Sequence, residues 1–485
     1  MKKRAVSMLL AASMVATMFA GCGNKDGAAS SDGNKTAGTE TGASTDDGAG
    51  EVADLSQYIS GEEEGKVINI YSWNDEARQR ICAVYDRVVE TNKEGTVTTL
   101  DDGTEIHWIV NPNQDGVYQQ KLDEALMNQA DAAADDKVDI FLSETDYVFK
   151  YTDAAADVAI PLSALGITDA DLADQYDFTR VVASDATGVQ RGSTWQCCPG
   201  LLVYRRDIAK DVFGTDDPAE IAKFTSDWET LKGTAQTLKD KGYYTFSSYA
   251  DTFRLYGNSI SESWVADGSS TLKVAPQITN WVADSKEWLD NGYVDKNIKG
   301  QWNDDWNKAM GSASKVFAFL FPAWGIDFVL NPNWDGEAGS WAVTTPPQAY
   351  NWGGSYIHGC AGTDNPEHVK EIILALTCDK DNLLQISKDY ADFTNTKSGM
   401  QEAASDDSFA SEILGGQNPI AYFAPVADSI KMAPLSAYDQ GCVELIQDSF
   451  SDYLQGNVDY DKAKSNFETA IKERYPDITE VQWAE

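Results

Sequence analysis

Hydrophobic and polar positions change period along this chain, and the changes divide it. Residues 67–71 (Val-Ile-Asn-Ile-Tyr) form a short apolar run without helical period, which predicts a strand. The run passes through Ser72-Trp73-Asn74-Asp75 into a segment where Ile81, Tyr85 and Val88 recur at i, i+4 and i+7, the spacing of one helix face. A second strand is predicted over 105–110, a second helix from Tyr118, Leu122 and Leu126, and a third strand over 138–142. This βαβαβ order predicts a parallel sheet, which brings the strand ends 72–75 and 143–147 into one crevice.

After Tyr151 the pattern shifts. Residues 161–166 (Pro-Leu-Ser-Ala-Leu-Gly) read as turns, and 204–208 open a more helical region. Ser226-Asp227-Trp228-Glu229 has capping-box spacing, ahead of an apolar face made by Trp228, Leu231, Ala235 and Leu238. Further helices are predicted over 277–291, 303–310, 366–378 and 461–475. In mid-chain, 315–328 (KVFAFLFPAWGIDF) predicts a buried strand that stops at Pro322-Ala323-Trp324-Gly325, with a Gly-rich turn, Trp352-Gly353-Gly354, soon after. The expected fold class is α/β with two lobes and a cleft between them. The first lobe is drawn as 66–180 plus about 315–365, the second as 181–314 plus about 366–485.

The amino terminus adds an address. Lys2, Lys3 and Arg4 precede an apolar run, 5–20, which is too short to span a bilayer and reads as an export signal. From residue 23 to about 65 the composition is Gly, Ala, Ser, Thr, Asp, Asn and Glu, which predicts a flexible tether. The chain carries a formal charge of −39 over 485 residues, and loss of the signal makes it more negative by three. Such a surface lacks the basic patches that nucleic acids or anionic membranes require.

Candidate catalytic chemistry is sparse. The three histidines, His107, His358 and His368, stand in no HExxH spacing, and no GxSxG, P-loop or GxGxxG occurs. Beyond Cys22 there are six cysteines, none in a metal-binding spacing, and buried free thiols are expected for most of them. Asn111-Pro-Asn113-Gln-Asp115-Gly116 recurs as Asn331-Pro-Asn333-Trp-Asp335-Gly336, but the twelfth positions are Leu122 and Ala342, so turns are expected and no calcium loop. No cofactor or metal is expected.

Phe19-Ala20-Gly21-Cys22 resembles the lipobox of bacterial lipoproteins, with Phe19 where that family usually has Leu. Together with the tether, Tyr71-Ser72-Trp73-Asn74, the turn at 321–325 and Trp352-Gly353-Gly354, it makes the chain similar to the extracellular solute-binding proteins of family 1, the sugar-binding lipoproteins of bacterial ATP-driven importers. The resemblance implies two α/β lobes closing on a sugar, lipid attachment at Cys22 on the outer face of the membrane, and delivery to separate permease subunits by a monomer. It also implies that Trp195 and Gln196, and Tyr249 with Asp251, face the cleft.

The residues themselves fit a sugar. Sugars present apolar C–H faces ringed by hydroxyls, so a site needs flat aromatic platforms and planar hydrogen-bonding groups. Fourteen Trp and twenty-one Tyr are available. By position at strand ends and turns, the expected ligand-binding residues are Trp324 and Trp352 as platforms, with Trp73, Asn74, Glu144, Asp146, Gly353, Gly354 and Asp392. Trp302 and Trp306 are four apart, so one is expected in the cleft and one in the core. An exported glycoside hydrolase, or a receptor for a peptide or another non-sugar solute, are the alternatives.

Overall fold

The opening βαβαβ unit sits at the centre of a seven-stranded sheet. In the computed structural model, which describes residues 54–60 and 65–484, β1 (Val67–Ser72) lies between two parallel neighbours. The strands that follow it in the chain are β2 (Val88–Thr91), β3 (Val97–Leu100), β4 (Glu105–Val110), β5 (Val138–Glu144) and β6 (Ser193–Thr194). Beyond these come β7 (Gly200–Arg205), β8 (Thr271–Val274), β9 (Ala318–Pro322), β10 (Trp341–Thr344), β11 (Ser355–Gly359) and β12 (Glu480–Trp483). The first-lobe order is β2-β3-β4-β1-β5-β11-β6, with β11 antiparallel to β5.

Alternation along β5 sends successive side chains to opposite faces of this sheet. Leu142 joins a core with Ile68 and Ile106, and Phe141 joins a second cluster with Tyr118 and Leu122. The helix Val117–Asn128 buries Tyr118, Leu122 and Leu126 as its spacing predicts. The first helix, Glu76–Val84, ends sooner than expected: Tyr85 is already extended and Val88 begins β2. The reason is a hairpin hidden in the polar stretch that follows, where Gly95 takes φ +69° between β2 and β3.

Three expected boundaries change. β6 lies in the first-lobe sheet, so that lobe runs past 180 to the first crossing between the lobes. β9, grouped above with the first lobe, pairs with β7 in the antiparallel register Leu202↔Leu320, and β7 pairs on its other side with β10. These three strands form the second lobe's sheet, so residues 315–350 belong there. Conversely, helices Pro366–Thr377 and Lys380–Tyr390 bury Val369, Ile372, Leu376, Leu383 and Ile386 in the same core as Ile68 and Ile140, which is the first lobe. An apolar run announces that a strand is buried but not which sheet receives it. The capping box also shifts by one residue: Asp227 is the N-cap, accepting from the Thr230 amide at 2.8 Å, and Ser226 hydrogen-bonds to that carboxylate.

Part of the expected tether is docked. Leu55 and Tyr58 pack on the first-lobe core, and Ser60 N donates to Thr363 O at 3.0 Å. Leu55, Tyr58 and Ile59 supply the apolar surface that the preceding residues lack. Cys22, the export signal and the rest of the tether lie outside the described residues. The six other cysteines are free thiols, with Cys197, Cys198, Cys360 and Cys442 buried. Among the described residues no helix is long and apolar enough to cross a membrane, and no cluster of His, Cys, Asp and Glu is arranged to hold a metal.

Three segments cross between the lobes, side by side. Residues 195–199 join β6 to β7, 345–354 join β10 to β11, and 391–396 join helix Lys380–Tyr390 to helix Lys397–Ala403. They are stitched by backbone bonds: Cys197 N to Phe393 O (2.8 Å), Asn395 N to Trp195 O (2.9 Å) and Trp352 N to Cys198 O (2.9 Å). Residues far apart in sequence therefore meet at one narrow waist.

Candidate ligand cleft

Trp324 emerges directly after β9, as the strand-then-turn pattern predicts, at the start of a π-helical turn, Gly325–Leu330. Its indole Nε1 donates to the Trp352 carbonyl at 3.1 Å, which ties the β9 end to the second crossing. The Trp352 ring is nearly buried and meets Trp324 edge-on, with centroids 5.3 Å apart. Trp302 lies 6.1 Å from Trp324 and within 15° of parallel. It is 58 % exposed, and its neighbour Trp306 is fully buried, so the pair divides between surface and core. Trp302 precedes the helix Asp304–Ala309 rather than lying on it, and holds φ +63°. A non-glycine residue in that region stores roughly 1–3 kcal/mol of strain, and such positions concentrate at functional sites.

Gly353 is required at its place. Its φ is +84°, and a Cβ there would stand 3.3 Å from the Trp324 Nε1 and 3.5 Å from Glu144 Oε1. Those distances also show that the second crossing packs between the Trp324 ring and the Glu144 carboxylate. Gly354, at φ +125°, presents its carbonyl to the Thr145 amide at 3.2 Å, and Thr145 Oγ1 donates to Gly353 O at 2.7 Å. The Gly-rich turn is thus locked onto the end of β5.

Carboxylates line the waist. Glu144 Oε2 accepts from the Asp146 amide at 2.7 Å, while Oε1 carries no hydrogen bond among the described residues. Burial pushes the Glu144 carboxyl well above its ordinary range, Asp146 adds to the push, and Arg254 opposes it. Asp146, from the first lobe, takes a bidentate pair of bonds from Arg254 on the second-lobe helix Phe253–Asn258, the Nη2 bond at 2.6 Å. Asp392, on the third crossing, is gripped by Arg80 at 3.0 and 3.2 Å, and the Arg80 guanidinium lies 4.1 Å over the Tyr390 ring. Gln196 Nε2 donates to Glu76 Oε1 at 2.6 Å. Burial, reinforced by the Asp392 charge, raises the Glu76 carboxyl against the pull of Arg80.

Several expected residues are placed elsewhere. Trp195 is fully buried in the first-lobe core, so it offers no ring face to a ligand and meets the site only through the Asp392 carboxylate. Tyr249 is buried in the apolar cluster of Phe253 and Trp281, with its hydroxyl spent on Lys299 O at 2.9 Å. Asp251 is also interior. It accepts from the Ser247 and Ser248 amides, the Ser247 hydroxyl, Gln301 Nε2 (2.9 Å) and Trp306 Nε1 (3.1 Å), which leaves no lone pair for a ligand. Its effect on the site is indirect, since Gln301 and Trp306 flank Trp302. Trp73 is half-buried, edge-on to Tyr118 at 5.2 Å, and the exposed Asn74 caps the Glu76 amide at 3.0 Å.

Glu76, Arg80 and Asp327 adjoin the candidate site without having stood out in the sequence, and Arg254, which the sequence offers only as a basic residue able to favour an acidic ligand, is spent on Asp146. Glu76 and Asp327 follow closely on the ends of β1 and β9, their only local signal, whereas Arg80 and Arg254 sit on helices and are marked only by distant partners, Asp392 and Asp146. Asp327 follows Trp324 on the π-helical turn; its residue is exposed, but the surrounding protein partly desolvates the carboxyl and, with the Asp392 charge, lifts it.

A family model described as bacterial extracellular solute-binding protein matches residues 105–411. No curated protein matches the sequence. Among solved structures, an extracellular solute-binding protein of family 1 superposes with a TM-score of 0.66 at 16% identity, covering 85% of this chain and all of that one. The sugar-binding protein MalE from Xanthomonas citri gives 0.62 at 14% identity over 84% and 97% of the two chains. A transporter-associated binding protein from B. animalis subsp. lactis Bl-04, in complex with beta-1,6-galactobiose, gives 0.60 at 16% over 86% and 99%. The structural likeness establishes the two-lobed fold, and with a family model spanning well over half of its length the chain belongs to the bacterial extracellular solute-binding proteins.

Proposed function

We propose that this chain is a non-catalytic receptor that takes an oligosaccharide between its two lobes and passes it to the permease subunits of an ATP-driven importer. It works as a monomer without a cofactor, held to the outer face of the bacterial membrane by a lipid on Cys22. The observation that carries the reading is the juxtaposition of Trp302, Trp324 and Trp352 with the half-satisfied Glu144 carboxylate at the lobe crossings. Indole faces pack against sugar C–H faces, and a carboxylate oxygen accepts a sugar hydroxyl in an orientation-setting bond. Placement at the waist lets a ligand touch both lobes, which is what couples binding to closure. Proteins of this fold bound to galactobiose or named for sugar binding support the cargo class.

The excess of carboxylates over Arg80 and Arg254 around the cleft favours a second reading, a cationic non-sugar solute such as a basic peptide. The glycosidase alternative is weakened because Asp146 and Asp392 are both occupied by arginine, whereas hydrolysis needs an acid and a second carboxylate free to act across the bond. Calorimetric titration of the purified protein with neutral, acidic and amino oligosaccharides and with basic peptides separates these readings. Saturable binding of a neutral oligosaccharide with no release of reducing sugar is the expected result. Binding of peptides alone, or turnover of any glycan, overturns it.

A further inference from the structure

A cavity of about 510 Å³ lies beside Trp324, with Trp334 in its wall. Its walls come from both lobes. Asp327, Asn331 and Trp334 stand on the second-lobe segment that follows Trp324, and Ser387 and Lys388 on helix Lys380–Tyr390, whose apolar face is buried in the first-lobe core. Phe409 closes one side. The cavity adjoins the candidate cleft at two points in the chain: Ala323 lines it and Trp324 follows, Ala391 lines it and Asp392 follows. Asp327 borders both, since it lines the cavity and feels the Asp392 charge.

The lining has the chemistry of a polyol site. The Ser387 side chain is 2 % exposed and its hydroxyl has no hydrogen-bond partner, an arrangement that costs free energy until a ligand or water supplies one. Phe409 and Trp334 offer apolar surface, while Asp327, Asn331 and Lys388 offer an acceptor, an amide and a donor. The volume falls within the roughly 300–1,000 Å³ of small-molecule sites.

We infer that this cavity is a further section of the binding cleft, which takes the outlying rings of a long or branched oligosaccharide whose first rings lie on Trp302 and Trp324. The inference rests on the oligosaccharide reading above. It makes chain length, and not only ring identity, a determinant of affinity.

The test compares affinities across a graded series of oligosaccharides of the linkage that the protein binds, for the wild type and for Ala410→Trp. Ala410 is an exposed residue at the cavity wall with ordinary extended backbone (φ −66°, ψ 133°), so an indole there fills the space without entering the core. Ser408→Trp, at a second exposed wall position, repeats the test if Ala410→Trp does not fold. The wild type is expected to gain about tenfold or more in affinity once the ligand outgrows the tryptophan cleft, and the variant to lose that gain while its shortest ligand binds within about twofold of wild type. Equal affinity for short and long ligands in the wild type, or a gain that survives in a folded variant, overturns the inference and leaves the receptor reading intact. Absence of binding at every length overturns the oligosaccharide reading, and the inference with it.

Discussion

Asp251 and Glu144 are both carboxylates enclosed by protein, Asp251 buried in the second lobe and Glu144 half-buried at the waist. Around Asp251 five donors converge, from two serine amides, a serine hydroxyl, Gln301 and Trp306. Around Glu144 only the Asp146 amide donates, and the other oxygen lies open beside Trp324 and Gly353. Burial raises both carboxyls, so a shifted pKa does not distinguish them. Satisfaction does: a buried charge with every lone pair used holds structure together, while one left half-bonded is stable only where something else completes it.

The largest effect expected from this contrast is on stability. Asp251→Ala strips the partner from several buried donors at once, each worth ~1–3 kcal/mol, and is expected to lower unfolding free energy by ~3–5 kcal/mol in a denaturant titration. A loss well under 1 kcal/mol would place Asp251 among solvated residues instead. Next comes Trp324→Ala, expected to weaken oligosaccharide binding by ~1–3 kcal/mol with a smaller loss of stability, since the ring is only partly buried at the edge of the second-lobe core. Unchanged affinity would move the platform elsewhere.

Glu144→Gln tests the same contrast through pH. A carboxyl raised in the folded state binds its proton more tightly there than in the unfolded chain, whose reference is 4.5, so its contribution is present in acid and lost as pH climbs toward and past neutrality. The amide has no charge to bury. The variant is therefore expected to melt at a higher temperature than wild type near pH 8 and to show no such advantage near pH 4, in calorimetry without ligand; a pH-independent difference would contradict this. The smallest effect is expected from the lobe-spanning Asp146–Arg254 pair. Being partly exposed, it should show a coupling of ~1 kcal/mol or less in a double-mutant cycle at low salt, fading as salt is added. A coupling insensitive to salt would mean the pair is more enclosed than its exposure indicates.

The same contrast explains what the sequence disclosed. Strand ends and turns are local, so Trp324, Trp352 and Gly353 could be placed from a run of apolar residues that stops at Pro-Ala-Trp-Gly and from a Gly pair that tolerates positive φ. The parallel β1, β4 and β5 were legible for the same reason, since each is a short apolar run separated by helical spacing. Pairing between distant residues was not: nothing in the neighbourhood of Asp392 reveals Arg80, 312 residues away, and nothing near Asp251 tells a ligand-facing carboxylate from a saturated one. The lobe membership of β9 and of helices 366–390 failed likewise, because an apolar strand or helix face fits any core. Trp302 and Trp306 fall between the cases. Their spacing separated core from surface correctly, but the left-handed turn that aims Trp302 at Trp324 depends on anchors at Gln301 and Trp306.

The central claim, that the waist of this protein binds a sugar against its tryptophans, is tested most directly by intrinsic tryptophan fluorescence during titration with neutral oligosaccharides of graded length, in wild type and in Trp324→Ala. The account predicts a saturable change for one linkage class in the wild type and a weaker, right-shifted one in the variant. A flat response across the panel from a folded wild-type protein, or identical curves for both proteins, would contradict it.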